Sequence, residues 1–412
     1  MNEQPDLLNT ELEKARKLKI SLVLGIIFVA INLRMPITSI SPLLELIRKD
    51  LPISNTLAGF LTTLPLIAFA VISPFVSKLS RKLGVEQLVF YTLLFLVFGS
   101  FIRPFGDNLA FLLTGTLLIG IGIAVGNVIL PSIIKKEFPF QLGLLTGIYS
   151  ISMNLFAAIA SGLSFPLANN FRLGWRGTLY VFSAFTVLAL LIWLFQLSKK
   201  PKKVASTNSK KPAHAHQSVW KSKLAWQIAV VMGVQSAVFY INVAWLPVIV
   251  QDRGFTAADG GFMLSLMQFG IIPITFIVPI IAGKTKDQRV LMSLASFFIC
   301  GGIVGLMLPI ANLVYLSIIS IMLGVGGGMA FSLSMMFFSL RTSTPEEAAE
   351  TSGMAQSVGY LLAAFGPLLF GFLHDALGNF EISLFILLAA GIGLFLAGLG
   401  AAKDQKLFGS SH

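Results

Sequence analysis

The sequence predicts an all-α membrane protein in which twelve transmembrane helices form two parallel six-helix repeats around a central cavity. Three observations carry that expectation: a composition too apolar for a soluble domain, twelve apolar runs of spanning length, and an internal repeat that lays six runs on the other six. Of 412 residues, 55% are hydrophobic and 12% charged, and the mean hydropathy is +0.84. Those values lie outside the range of ordinary globular domains.

The first six runs fall at 20–46, 55–77, 87–105, 109–134, 143–168 and 176–197. The second six fall at 224–250, 260–283, 289–310, 313–340, 348–373 and 380–402. A hydrocarbon core about 30 Å thick needs roughly 20 apolar residues in a helix, so each run can span it. The expected organisation is an N-terminal segment (1–19), a first bundle (20–197), a linker (198–223), a second bundle (224–402) and a tail (403–412). The linker carries Lys-Lys-Pro-Lys-Lys followed by Ser, Thr, Asn, Pro and His, a solvated composition without core-forming residues.

A net charge of +12 and a pI near 9.8 raise the possibility of nucleic acid, but the placement of charge points to topology. If both termini lie in the cytoplasm, only Arg48, Lys49, Arg103, Arg172, Arg176 and Arg253 fall in external loops. Arg34 lies within a span, and every other Lys and Arg falls on the cytoplasmic side. That is the positive-inside asymmetry of a plasma-membrane protein, and no nucleic-acid partner is expected. Residues 1–19 mix both charge signs, unlike a cleavable signal, and Thr10-x-x-Glu13 reads as a capping box opening a short membrane-surface helix. Cys300 is the sole cysteine, so neither an intrachain disulfide nor a thiolate metal site is expected. His214 and His216 lie in the linker with no third ligand nearby.

A shift of 206 residues lays Gly120, Gly122 and Ala124 on Gly326, Gly328 and Ala330. The same shift pairs Lys135 with Arg341, Pro139 with Pro345, Gly147 with Gly353, and Leu155, Ala157 and Ala158 with Leu361, Ala363 and Ala364. Loop length and turn proline are preserved together. A parallel repeat of six helices on six suits transporters that rock one half against the other around a midplane site. The glycines of 120–126 and 324–328 suit close helix contact better than phosphate binding, since no strand–loop–helix unit surrounds them.

Within run 1, Arg34 is the only basic residue between Lys19 and Arg48, each about 20 Å of helix away. At that depth a charge costs at least about 2.5–3.5 kcal/mol and does not easily snorkel to water. It should face a cavity and meet an anion, or else satisfy carbonyls freed by Pro36 and staple span 1 to a neighbour. No Asp or Glu occupies the central part of any run: Glu45, Glu381 and Asp375 sit near outer ends and Asp287 near the cytoplasm. Proton coupling through a buried carboxylate is therefore not expected; the substrate's own proton, His374 near the outer face, or anion exchange stay open.

Several stretches resemble one family. They are Asn32-Leu33-Arg34-x-Pro36-x-Thr38-Ser39 in span 1, and Gly122-Ile-Ala-Val-Gly-Asn127-Val-Ile-Leu-Pro131 with the following Lys135-Lys136-Glu137-Phe138-Pro139 in span 4. The third is Gln235-Ser236-x-x-Phe239-Tyr240-x-x-x-x-Trp245-Leu246-Pro247 in span 7. By these residues the chain resembles the major facilitator superfamily, and within it the cyanate and 2-nitroimidazole transporters. The resemblance implies carriage of a small solute. In one place the chain departs from the superfamily pattern: Arg81 of Ser80-Arg81-Lys82-Leu83-Gly84 stands where an aspartate is usual. The aspartate's gating contact therefore does not carry over.

Candidate substrate contacts follow from polar residues at span depth. Arg34 and Asn32 come from span 1, and Tyr240, Asn242 and Trp245 from span 7, where Asn242-Val-Ala-Trp245-Leu-Pro247 echoes Asn32-Leu-Arg34-Met-Pro36. Asn32 is two residues from Arg34, so the two share a face only if Pro36 distorts the turn. Ser150 and Asn154 are four apart on span 5 and fall, under the 206 shift, on Gln356 and Tyr360 of span 11, suggesting opposite cavity walls. Asn127, Tyr149 and Gln268 complete the set. Interhelical hydrogen bonding, and an interfacial belt for Tyr and Trp, are the competing roles.

The expected function is a secondary transporter moving a small organic or inorganic anion by alternating access. The alternative is an efflux pump for nitroimidazole-like or other lipophilic drugs, for which 13 Met and 35 Phe offer an adaptable apolar wall. No Ser-His-Asp set, metal cluster or nucleotide loop points to catalysis. A functional monomer in the lipid bilayer is expected, with a small-molecule substrate and no cofactor.

Overall fold

The computed structural model describes residues 20–51, 55–199 and 218–408. The segment 1–19 with its Thr10–Glu13 pattern, most of the linker with His214 and His216, and residues 409–412 lie outside the described residues. Twelve helices are long and apolar enough to cross a membrane. In the first half these are α1 (Ile20–Thr38), α2 (Asn55–Leu83), α3 (Val85–Ile102), α4 (Leu109–Glu137), α5 (Leu142–Asn169) and α6 (Gly174–Lys199). In the second they are α7 (Lys223–Gln251), α8 (Ala257–Lys284), α9 (Arg289–Met307), α10 (Leu313–Leu340), α11 (Pro345–Leu377) and α12 (Glu381–Ala402). Helices suit this role because each satisfies its own backbone groups where no water can.

Caps at the helix ends follow the sequence. Asn108 and Asn312 open α4 and α10 by accepting from Ala110 N and Tyr315 N at 2.8 and 3.0 Å. Thr256 with Asp259, and Thr344 with Glu347, close full capping boxes on α8 and α11. Gly378 ends α11 at φ +70°, the left-handed position that favours glycine.

Run 1 is not one helix through 46. It is helical to Asn32, opens at Leu33 and Arg34, and resumes over Met35–Thr38, with a separate short helix at Leu44–Asp50. The break follows from Pro36, which lacks the N–H that a continuous helix would use.

The halves meet through two symmetry-related crossings, α2 on α11 and α5 on α8. Gly353 and Gly147, paired by the 206 shift, sit at these crossings. A Cβ on Gly353 would lie 2.6 Å from Ser73 O, and one on Gly147 would lie 2.8 Å from Phe276 O, so only glycine permits either approach. The glycines of 324–328 also serve helix contact: a Cβ on Gly324 would lie 2.1 Å from Met267 O.

Among the described residues, every hydrogen bond and ion pair joining the two halves lies toward the end that carries the linker. Ser132 Oγ donates to Pro345 O at 2.9 Å and Ser339 Oγ to Pro131 O at 3.3 Å. Lys135 Nζ crosses from α4 to the end of α10, donating to Ser339 O at 2.8 Å, to Thr342 Oγ1 at 2.7 Å and to Thr342 O. Ser357 Oγ on α11 donates to Ala70 O on α2 at 2.5 Å. Arg81, in the aspartate's usual place, pairs instead with Glu350 of α11.

The equivalent of Lys135 in the repeat behaves differently. Arg341 stays within its own half, donating to Ala401 O and Ala402 O at 2.8 and 2.7 Å and to Gln288 Oε1. Burial lowers its guanidinium pKa to about 10, against opposing effects of Asp404 and Asp287.

Candidate substrate site

The break in α1 sets the site. Arg34 has φ −132° and ψ −35° and precedes the short resumed turn, so its side chain leaves the helix where the ladder is interrupted. Its Nη1 donates to Asn154 Oδ1 on α5. Asn154 is itself fixed: its Nδ2 donates to Ser150 O at 2.8 Å, which leaves Oδ1 to face the guanidinium.

From the other half, Phe239 on α7 and Phe331 on α10 present ring faces, with Arg34 Cζ 4.9 and 5.3 Å from their centroids. Each such contact is worth about 0.5–2 kcal/mol, depending on how dry it is. No carboxylate pairs with Arg34 among the described residues, and no backbone oxygen accepts from its guanidinium. The residue is half-buried and borders two small neighbouring spaces.

The first space is walled by Arg34, Asn154, Gln235, Ser236, Phe239, Tyr240, Phe331 and Tyr360. The second shares Arg34, Tyr240, Phe331 and Tyr360 and adds Asn127, Met153 and Phe69. They are tight, about 20 and 10 Å³ of room for a water's centre, space for roughly a single water each. Tyr360 meets Phe69 edge-on across the two halves at 4.7 Å between ring centroids. The Tyr240 and Tyr360 hydroxyls have no protein partner among the described residues, so both remain available as donors. A guanidinium, two phenols and three amides within an aromatic wall suit a small anion with delocalised charge.

Five of the twelve sequence-predicted residues meet here: Arg34, Asn127, Asn154, Tyr240 and Tyr360. The other seven are placed elsewhere. Asn32 is fully buried against α6, its Nδ2 donating to Phe28 O at 2.8 Å and Phe185 O at 3.2 Å. Pro36 opens the turn without bringing Asn32 round to Arg34's side. Asn242 repeats the same local bond, donating to Val238 O at 2.8 Å, so its echo of Asn32 lies in that bond and not at the cavity.

Trp245 donates to Pro367 O at 3.0 Å and packs on His374 and Phe380 at the end away from the linker. Tyr149 lies behind Asn127, donating to its Oδ1 at 3.4 Å. Ser150 contributes its carbonyl to Asn154, and Gln356 donates to Ser352 Oγ at 2.8 Å. Gln268, half-buried on α8, lines neither space.

Gln235, Ser236, Phe239 and Phe331 line the first space without being among the candidates that the sequence offers. Gln235 and Ser236 stand four residues before Phe239 and Tyr240 on α7, a spacing that places them one turn along the same face. Arg103, which the charge pattern assigns to an external loop, is 4% exposed, its Nη1 donating to Pro36 O at 2.8 Å. Span 1 is thus tied to its neighbours by Asn32 and Arg103, by Thr38 Oγ1 donating to Ala157 O at 3.0 Å and by Ser164 Oγ donating to Ser39 O at 2.8 Å, besides the bond from Arg34 to Asn154.

The Major Facilitator Superfamily profile matches residues 22–367. The chain belongs to this superfamily. It is 37% identical over 391 residues to the 2-nitroimidazole transporter of Escherichia coli (strain K12), covering 95% of this chain and 98% of that one. It is 26% identical over 360 residues to the cyanate transport protein CynX of the same organism, covering 87% and 91%. In three dimensions it is similar to the proton:xylose symporter XylE bound to 6-bromo-6-deoxy-D-glucose, with a TM-score of 0.72 at 13% identity, covering 94% and 97%. The last likeness concerns the fold alone. The superfamily assignment makes the protein a membrane transporter with twelve transmembrane helices.

Proposed function

We propose that the protein is a secondary transporter of a small monovalent anion, working by alternating access as a monomer in the plasma membrane with both termini cytoplasmic. The observation that carries the reading is Arg34: a guanidinium at the broken turn of α1, without a carboxylate partner among the described residues, enclosed by side chains of both halves. An anion that takes Asn154's place beside Arg34 gains a charge-assisted, planar hydrogen-bonding partner in a dry setting. The relatives named for 2-nitroimidazole and cyanate support a small, flat, delocalised solute. The polar inter-half bonds, gathered at the linker end, support a rocking motion in which that end opens when they break.

The experiment is uptake into proteoliposomes of labelled cyanate, nitrite, nitrate and 2-nitroimidazole, with and without a pH gradient. At least one anion is expected to be carried, and Arg34→Ala to stop its uptake while the protein still inserts. Undiminished anion uptake by Arg34→Ala overturns the reading. A second reading, export of nitroimidazole-like drugs, is favoured by the Phe239, Phe331 and Phe69 walls, which suit a flat heteroaromatic ring. It predicts drug sensitivity on gene deletion; unchanged sensitivity across a panel of nitroaromatic compounds removes it.

A further inference from the structure

We propose that the linker end of the second half holds a binding site for a phosphate-bearing anion, between the start of α7 and the tail that follows α12. A cavity of about 850 Å³ opens there, walled by Lys221, Lys223, Lys403 and Lys406 and by no carboxylate among the described residues. Lys221, Lys223 and Lys403 are exposed and make no ion pair among the described residues. Four ammonium groups around one concave surface repel one another, and an anion in their midst relieves that repulsion.

The polar neighbours suit the same ligand. Ser222 is the N-cap of α7, accepting from Ala225 N at 3.4 Å, so the positive end of that helix adds to the lysine field. Gln227 and Gln405 also line the cavity.

Lys406 ties the site to the rest of the molecule. Its Nζ donates to Leu340 O at 2.7 Å and Thr342 O at 3.1 Å, the carbonyl that Lys135 also takes from the opposite half. Burial and then Arg341 lower its pKa, while Asp404 and Glu347 raise it, and neither carboxylate lines the cavity.

Depth favours a lipid headgroup as the source of the phosphate. Trp220 and Trp226 are both exposed, meet edge-on at 6.2 Å between centroids, and share a bond from Trp226 Nε1 to Trp220 O at 2.8 Å. Exposed tryptophans of this kind sit at headgroup level, and basic pockets at that level meet anionic headgroups. The hollow of similar size at the opposite end, about 890 Å³, is lined by Asp252, Arg253, His374 and Glu381. That mixture of signs gives no comparable field.

The test titrates the full-length protein in neutral detergent with short-chain phosphatidylglycerol, short-chain phosphatidylcholine and inorganic phosphate, read by tryptophan fluorescence and native mass spectrometry. Wild type is expected to prefer phosphatidylglycerol to phosphatidylcholine by about tenfold or more. The double variant Lys221→Gln/Lys403→Gln removes two exposed ammonium groups without an ion-pair partner, so its melting temperature should match wild type while its affinity falls about tenfold. Phosphatidylglycerol binding that inorganic phosphate does not displace assigns the source to lipid. Displacement by phosphate, or phosphate binding alone, assigns it to a free anion. Binding that is indifferent to headgroup charge and to phosphate, or equal in the double variant and wild type, overturns the proposal.

Discussion

Two arginines lie deep in the first half, and the structure uses them in opposite ways. Arg103 is almost wholly buried and donates to a backbone oxygen, Pro36 O, on the far side of the break in α1. Arg34, within that break, is only half-buried and donates to a side chain, Asn154 Oδ1. A guanidinium bound to main chain is part of the scaffold, because its acceptor stays with the fold. One held by an amide and two ring faces keeps donors for a guest. The break in α1 is thus braced by one arginine, and on the proposed reading the other is left to meet the solute.

Removing Arg34 tests the contrast most severely. Loss of a charged partner in a dry site costs about 2–5 kcal/mol, roughly 30-fold or more in anion uptake, so Arg34→Ala should carry almost nothing in proteoliposomes. Its melting temperature should fall less than that of Arg103→Ala, since the lost bond and ring contacts are offset in part by removal of a charge from membrane depth. Next comes Asn154→Leu, which deletes the side chain that aims the guanidinium. We expect the half-saturating anion concentration to fall about tenfold at unchanged membrane abundance, because the anion no longer has to displace a charged hydrogen bond of about 1.5–3 kcal/mol.

Arg103→Ala should invert the pattern. It is expected to lower stability by about 2 kcal/mol through the lost bond and the space left behind, seen as a drop in melting temperature. Uptake per folded molecule should change less than for Asn154→Leu. Equal transport defects in Arg34→Ala and Arg103→Ala, each with normal stability, would erase the distinction.

The smallest effect belongs to a third arginine. Arg81 is 39% exposed and its pair with Glu350 is worth at most about 1 kcal/mol. Arg81→Ala should therefore change transport by less than about fivefold, and the charge swap Arg81→Glu with Glu350→Arg should restore it.

Much of this arrangement was legible in the sequence, for identifiable reasons. A lone basic residue in a long apolar run has few tolerable places, so Arg34 announced the cavity. The 206 shift paired Gly147 with Gly353 before either crossing was visible, because close backbone approach demands glycine on both sides of a pseudo-axis. Asn154 and Tyr360 followed from that shift combined with the four-residue spacing of one helix face. Asn32 and Asn242 lie away from the cavity because the NH2 of a buried amide can donate to the carbonyl one turn back, and such an amide looks the same in sequence as a cavity residue. Phe239 stands in the span-7 motif without a polar group to single it out, and Phe331 carries no mark that separates it from the other 34 of 35 phenylalanines. Arg103 sits where an apolar run ends, and hydropathy alone does not distinguish a loop charge from one folded back under a neighbouring helix.

The bond from Lys135 to Ser339 O and Thr342 O has a consequence for anyone searching relatives for paired gating charges. Those two oxygens are main-chain atoms, so any residue type at 339 or 342 still offers them. Most of this latch is therefore invisible to comparison by letter: a substitution at 342 removes only the bond to Thr342 Oγ1, and undoing the rest takes a change of the lysine.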